Sequence, residues 1–438
     1  MTAPTQAFSH RQLGWMRRWH SQAHLQTKLS TRPTGPAEWN QFLDEIEAAI
    51  ATDSFKFSGL RWHTIRGRQT LSTDLLEDTL VIRKINDNIR RSYGITQPNR
   101  ASLIRTAKQA IRENTPKTIV RLDLKSCFES INRNLLIKQL RAEAKVSSQT
   151  MALLEGVFRG AAIKFPGRMP EGIPRGLTIS TSLAELKLRE LDSCLRMLPG
   201  TYLVLRYVDD ILVFTTETKK SAWAGVNDAL RNFAFKRNLR KSYPIRVSCS
   251  CDDHCPHGSD CPCNKKCTCL ARVTERHEME YLGYKIIFDK HNASAKKDPN
   301  AVFSILSEAK SSKIKTRIAL AAQECQRTHD WIQFEKRIAY LTSNQRVAVT
   351  PGKRGLFNGL SYTHSEYEAP PQYAGKGTIE DLDKFYRTTL RRLLTRIAVK
   401  PHNQAKLESL SFDSGFRHHR RVKFTPLDVL NIKKCWEK

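Results

Sequence analysis

Asp209 and Asp210 stand side by side between two apolar runs, in YLVLRYVDDILVF (202–214). Carboxylates inside what would otherwise be buried sheet are costly unless they are paired or bind a cation. An Asp pair also suits a plain hairpin turn, because the side chain can hydrogen-bond its own backbone. The pair is not isolated, however. Asp123 closes a second short β-branched run, TIVRLDL (118–124). Between the two lies GIPRGLTISTSLAELKLRELD (172–192), a Gly/Pro loop that feeds a helix. A second reactive set follows. Cys249, Cys251, Cys255, Cys261, Cys263, Cys267 and Cys269 crowd into 21 residues, with His254 and His257 among them. Cys-x-Cys pairs with short spacers suit tetrahedral thiolate coordination, and seven thiolates plus one His would fill about two Zn²⁺ sites. Disulfides are the alternative, disfavoured in a reducing compartment. So little apolar material accompanies these ligands that metal would supply the folding energy of the segment.

The order strand-Asp, Gly-rich loop and helix, Asp-Asp hairpin resembles motifs A, B and C of the reverse transcriptases. Tyr207-Val208-Asp209-Asp210 matches their Y-x-D-D tetrapeptide, and Gly172, Pro174, Gly176 and Ser180 match the second motif. Tyr281-Leu282-Gly283-Tyr284 looks like the downstream motif that grips the primer end. The resemblance covers about residues 80 to 290 and implies an α+β right-hand polymerase with fingers, a palm with an antiparallel sheet, and a helical thumb. Two-metal nucleotidyl transfer needs carboxylates that hold Mg²⁺ ions about 3.5–4 Å apart around an in-line displacement. Mg²⁺ takes oxygen ligands and keeps several waters. By the resemblance, Asp123 and Asp209 bridge the two ions, Leu124 offers its carbonyl, and Asp210 assists the catalytic one. Phe128, five residues after Asp123, falls where the family places an aromatic gate under the sugar, which selects deoxynucleotides; an ordinary core aromatic is the other reading. Arg175 replaces the commoner Gln of the second motif and would contact the incoming nucleotide or the template. Arg100 falls where the fingers supply a triphosphate-binding Arg, or is a solvated helix-start residue, and Lys84 is a further nucleotide-binding candidate.

STSLAE (180–185) departs from the S-P-x-L-A-N more usual in retroelement enzymes. The distal FEKRIAYLTSNQ and RGLFNGLSY segments look like the C-terminal part of the bacterial defence-associated, formerly "unknown group", reverse transcriptases. No protease, RNase H or HNH-type pattern accompanies them. The resemblance thus implies an RNA-directed DNA polymerase in antiphage (antiviral) defence, with a non-coding RNA and in some cases a second reverse transcriptase or a second copy. A template-independent or protein-primed DNA polymerase on the same palm is the alternative enzyme. An inert RNA-binding scaffold is the non-enzyme, and the three intact aspartates speak against it.

These residues require particular elements beneath them. Apolar spacing predicts helices at 39–50, 102–112, 130–142 and 180–198, the last with Leu183, Leu186, Leu188 and Leu191 as its stripe. Strands are expected at 78–85, 118–124 and 281–288, and a hairpin at 202–214. Residues 1–78 read as a mainly helical extension and 79–290 as fingers and palm, with the cysteine-rich insertion at 247–272. Residues 291–438 read as thumb and helical C-terminal region, mostly helical from about 300 to 396 and interrupted by the Gly/Pro-rich loop near 367–377.

The chain has 438 residues and carries 73 Lys plus Arg against 43 Asp plus Glu, a net charge of +30. That surplus suits a polyanion whose counterions are released on binding. The rivals are solvated surface lysines and an anionic membrane, but a membrane would favour one basic helix or cluster over charge spread along the chain. A basic stretch, RHHRRVK, occupies 417–423. With 40% hydrophobic residues a substantial core is expected. No apolar stretch has the length of a membrane span, and the first residues lack the apolar stretch of a secretory signal. The expectation is a cytoplasmic protein binding RNA, DNA and dNTPs.

Overall fold

The computed structural model describes residues 5–17, 33, 35–65, 67–113, 115–165, 167, 169–247, 276–289, 302–348, 356–371, 373 and 375–436. The seven clustered cysteines, His254 and His257 lie outside the described residues. Two compact units emerge, Met1–Pro98 with Lys117–Ile245, and Asn99–Pro116 with Arg246–Lys438.

In the first unit, strands β1 (Leu60–Ile65) and β2 (Arg68–Thr73) form an antiparallel hairpin. Residues 1–78 were expected to be mainly helical; helices His10–Arg17 and Pro36–Ala51 lie there, and the hairpin is added to them. Helix Leu76–Ser92 follows, where 78–85 was expected to be a strand. The run LVIRKI is apolar enough for either. Its length decides, because Leu76, Leu80, Val81, Ile85 and Ile89 form one buried helical stripe. Glu77 and Asp78 in the first turn and Arg90 and Arg91 in the last complement the helix dipole.

The central sheet is built on β3 (Lys117–Lys125), which is buried along its whole length except Lys125. Strands β4 (Thr201–Tyr207) and β5 (Asp210–Thr215) form the expected hairpin. With β6 (Lys236–Arg237) the strand order is β4-β5-β3-β6, and β7 (Tyr243–Val247) also pairs with β3. Helix Thr178–Arg196 packs on helix Leu76–Ser92, and Leu183, Leu188, Leu191 and Leu195 join β3 in one core.

The second unit holds an antiparallel sheet of β8 (Arg276–Tyr281), β9 (Tyr284–Asp289) and β10 (Val302–Leu306), in the order β10-β9-β8. The stretch 281–288, expected as one strand, is therefore a strand end, a turn and a second strand. Leu282 (φ 50°) and Gly283 (φ 81°) turn the chain, and the left-handed backbone at Gly283 suits a residue without Cβ. Helix Arg100–Arg112 belongs to this unit, tied by Lys108 to Glu368 (2.8 Å) and by Arg112 Nη2 to the Val302 carbonyl (3.0 Å). Helices Glu308–Thr328, Trp331–Thr342 and Ile379–Leu394 share a core of Ile318, Phe334, Leu382, Tyr386 and Phe412. Residues 300–396 are less purely helical than expected, since β10, β11 (Asn344–Ala348) and β12 (Leu356–Gly359) fall within them. Among the described residues no helix is long and apolar enough to cross a membrane.

Candidate active site

Strand β3 carries Asp123 at the point where it pairs with Asp210 of β5, so sheet register sets these two carboxylates directly opposite one another. Asp209 joins them through the β4–β5 turn. Val208 holds that turn with φ 57°, a left-handed backbone that disfavours a β-branched residue and typically costs about 1–3 kcal/mol. The turn is pinned back to the sheet by Leu124 N–H, which donates to the Asp209 carbonyl at 3.0 Å. Leu124 itself follows Asp123 with a buried side chain.

Two cations enter this acidic cluster that the motif order alone does not reveal. Arg121, two residues before Asp123 on the same face of β3, is buried and sets Nη2 3.3 Å from Asp210 Oδ1. Its other terminal nitrogen donates to the Lys241 carbonyl. Lys241 Nζ lies 3.3 Å from Asp123 Oδ2. The same loop braces the strand, for Asp123 N–H donates to Ser242 Oγ (3.0 Å) and Asn238 N–H to the Asp123 carbonyl (2.7 Å).

Burial pushes the Asp210 carboxyl up to about 6; Arg121 opposes the shift, while Asp209 and Asp123 add to it. Burial raises Asp209 too; its own backbone hydrogen bond opposes this, and Asp123 adds to it. Three mutually repelling carboxylates in a partly dry place are what a hard dication relieves, and their oxygens are the donors Mg²⁺ takes. Among the described residues no three His, Cys, Asp or Glu side chains stand as a ready-made metal cage. Lys241 and Arg121 engage two of the carboxylates instead.

Beside this cluster the helical turn Cys127–Ser130 meets the Gly/Pro loop. Ile173 N–H donates to the Phe128 carbonyl at 2.9 Å, and Gly172 passes so close that a Cβ there would come within 2.4 Å of Glu129 Cα. The Ser180 hydroxyl donates to the Pro174 carbonyl. Phe128 is half-buried against the core cluster. Arg175 does not point freely outward. It grips Glu129 with Nε–Oε1 2.5 Å and Nη2–Oε2 3.0 Å, and its guanidinium lies 5.1 Å from the centre of the Phe128 ring.

The structure thus brings together Asp123, Leu124, Asp209 and Asp210, with Phe128 and Arg175 on the neighbouring turn and loop. Lys84 is not brought there. It is 0% exposed, donates to the Thr5 carbonyl at 3.1 Å and faces Asp87 at 3.6 Å. A nucleotide cannot reach a side chain so enclosed. Arg100 lies in the second unit, where it donates to the Leu282 carbonyl in the Tyr281–Tyr284 turn. Sequence reasoning missed Arg121, Lys241, Ser242 and Glu129. The signal for Lys241 and Ser242 was a polar Asn-x-x-Lys-Ser loop after the short β6, too generic to single out.

An antiparallel sheet that gathers three carboxylates at one turn is the arrangement two-metal nucleotidyl transfer would need. Residues 65–286, just over half of the chain, match the family described as reverse transcriptase (RNA-dependent DNA polymerase). The chain belongs to that family and is an RNA-directed DNA polymerase, with an RNA template, a DNA product and dNTPs as substrates. Reverse transcriptase domains use divalent metals such as Mg²⁺. A search among curated proteins finds no match to the chain.

Proposed function

We propose that Asp123 and Asp209 bridge two Mg²⁺ ions, with the Leu124 carbonyl and Asp210 completing the set, and that the chain adds deoxynucleotides to a primer or protein hydroxyl on an RNA template. The observation that carries this reading is the register of β3 on β5, which sets Asp123 against Asp210 beneath the turn holding Asp209. The metals would supply an acidified hydroxyl and a clamp on the triphosphate. The chain's part is to hold three oxygens in place and to keep Phe128 beside the sugar.

Replacing both Asp209 and Asp210 with Ala should abolish dNTP incorporation on a primed RNA template. Removing mutually repelling anions offsets the loss of the Arg121–Asp210 pair, and Arg121 keeps its bond to the Lys241 carbonyl, so the metal-free protein should stay folded, as thermal melts would check. Incorporation by the double variant at the wild-type rate would sink the assignment.

The same proposal places the enzyme in bacterial antiphage defence with a dedicated non-coding RNA, supported by STSLAE in place of the retroelement pattern and by the segments at 334–345 and 354–362. Sequencing the nucleic acid that co-purifies with the chain tests this, because random cellular RNA would count against it. The cysteine cluster at 249–269 is proposed to hold about two structural zinc ions, by the four-ligand arithmetic of tetrahedral sites. The metal content of the purified chain decides between zinc and disulfides.

A further inference from the structure

Arg175, which stands where the second motif commonly has Gln, also lies against the sugar-gate candidate. Arg175 makes two hydrogen bonds to Glu129, which adjoins Phe128 in sequence, and lays its guanidinium over the Phe128 ring. Paired Arg–carboxylate hydrogen bonds fix direction as well as distance. Burial alone would raise the Glu129 carboxyl, but the Arg175 hydrogen bond and charge outweigh it and hold the group below its ordinary value. The loop end of the brace is equally fixed. Leu71 N–H donates to the Arg175 carbonyl (2.7 Å), and Gly176 runs at φ 102° so close to the Leu71 carbonyl that a Cβ would stand 2.4 Å from it.

We propose that Arg175 is a positioning residue for sugar selection: held by Glu129, it presses the Phe128 ring into one orientation and so sharpens discrimination against ribonucleotides. This rests on Phe128 acting as the gate. The ring stands on a four-residue helical turn and is only half-buried, so a hydroxyl at C2′ would push against its open side. A cation held over its face opposes that push. Such contacts contribute on the order of 1 kcal/mol, which corresponds to about fivefold in selectivity. An Arg contacting template or triphosphate directly would act otherwise, weakening both sugars alike.

The test compares kcat/KM for one dNTP and its rNTP on a single RNA template, with Tm as a folding control, in wild type, Phe128→Ala, Arg175→Met, Arg175→Lys and Glu129→Gln. Arg175→Met keeps the stem without the charge, and the dNTP/rNTP ratio should fall about fivefold, through a rise in the ribonucleotide kcat/KM. Glu129→Gln, which leaves Arg175 in place but unclamped, should move the ratio the same way and less far. It also serves as the readout if the Met variant proves unstable. Arg175→Lys, a cation without the paired grip, should fall between Met and wild type. If Phe128→Ala relaxes the ratio and the Arg175 and Glu129 variants do not, the brace is wrong and the gate stands. Equal losses with both sugars in Arg175→Met would overturn the brace in favour of direct substrate contact. If Phe128→Ala itself leaves the ratio unmoved, the gate reading fails and the brace falls with it.

Discussion

The Asp210 carboxyl carries a pH signature that can be worked out in sign. Burial raises it from 3.8 to about 6 in the folded, metal-free protein, despite Arg121. The unfolded chain keeps the ordinary value, so between these limits the folded state holds the extra proton. Stability from this group is therefore present at the acid end and is lost as pH rises through the window. Asp210→Asn, neutral at every pH, should flatten the decline in Tm between about pH 4 and pH 6 in chelator-treated protein, and should raise Tm at neutral pH. Thermal melts of the two proteins across that range check it. A Tm difference that is the same at every pH would show that Asp210 does not titrate there. The three aspartates were legible in the sequence because each sits in a local pattern, a run of strand residues ending in acid. Their cationic partners were not. Lys241 meets Asp123 across 118 residues of chain, and only the return of the loop after β6 makes them neighbours.

Strand β4 reaches the turn with its last arginine locked into helix Thr178–Arg196. Arg206 Nη1 and Nη2 grip Glu185 at 2.9 and 2.6 Å, while Nε and Nη2 grip Asp192 at 2.7 and 2.8 Å. Burial alone would lower the Arg206 pKa, but these hydrogen bonds and the two charges raise it well above its ordinary value. The helix that follows the Gly/Pro loop and the strand that presents Asp209 are thereby one mechanical piece. Arg206→Met removes the cation and leaves two nearly buried carboxylates facing each other. Breaking such a group costs about 3–5 kcal/mol, to be read from urea unfolding at neutral pH. A loss under about 1 kcal/mol would mean that water replaces the guanidinium easily. The element pattern was readable wherever apolar periodicity ran long, as in Thr178–Arg196 and the β4–β5 hairpin. It failed at 78–85 and 281–288, where runs of eight residues with four and six apolar side chains fit helix, strand or turn equally well. There, the long buried stripe of Leu76–Ser92 and the left-handed Gly283 decided instead.

Over the whole chain the charge of +30 is the dominant fact, and pairing decides which cations can act on a polyanion. The basic stretch 417–423 shows the distinction. Arg417 lies 2.6 Å from Asp413, one helical turn away, and 3.9 Å from Glu380. Arg420 is half-buried and donates to the Thr342 hydroxyl at 2.5 Å. Lys423 is exposed. An arginine already beside a carboxylate brings little net charge to a phosphate and releases few counterions when nucleic acid binds. Affinity for single-stranded RNA should fall steeply with salt, with a log–log slope near −0.7 for each phosphate neutralised. Replacing Lys423 with Gln should flatten that slope by up to about 0.7. Replacing Arg417 should change it less and cost stability instead, about 0.3–0.5 kcal/mol as for other exposed pairs one turn apart. Filter-binding or anisotropy titrations at several salt concentrations, run beside thermal melts, separate the two effects. A slope near zero in the wild type would mean that the surplus charge only solvates the surface. Equal flattening by Arg417 and Lys423 variants would show that the Asp413 pair opens when nucleic acid arrives.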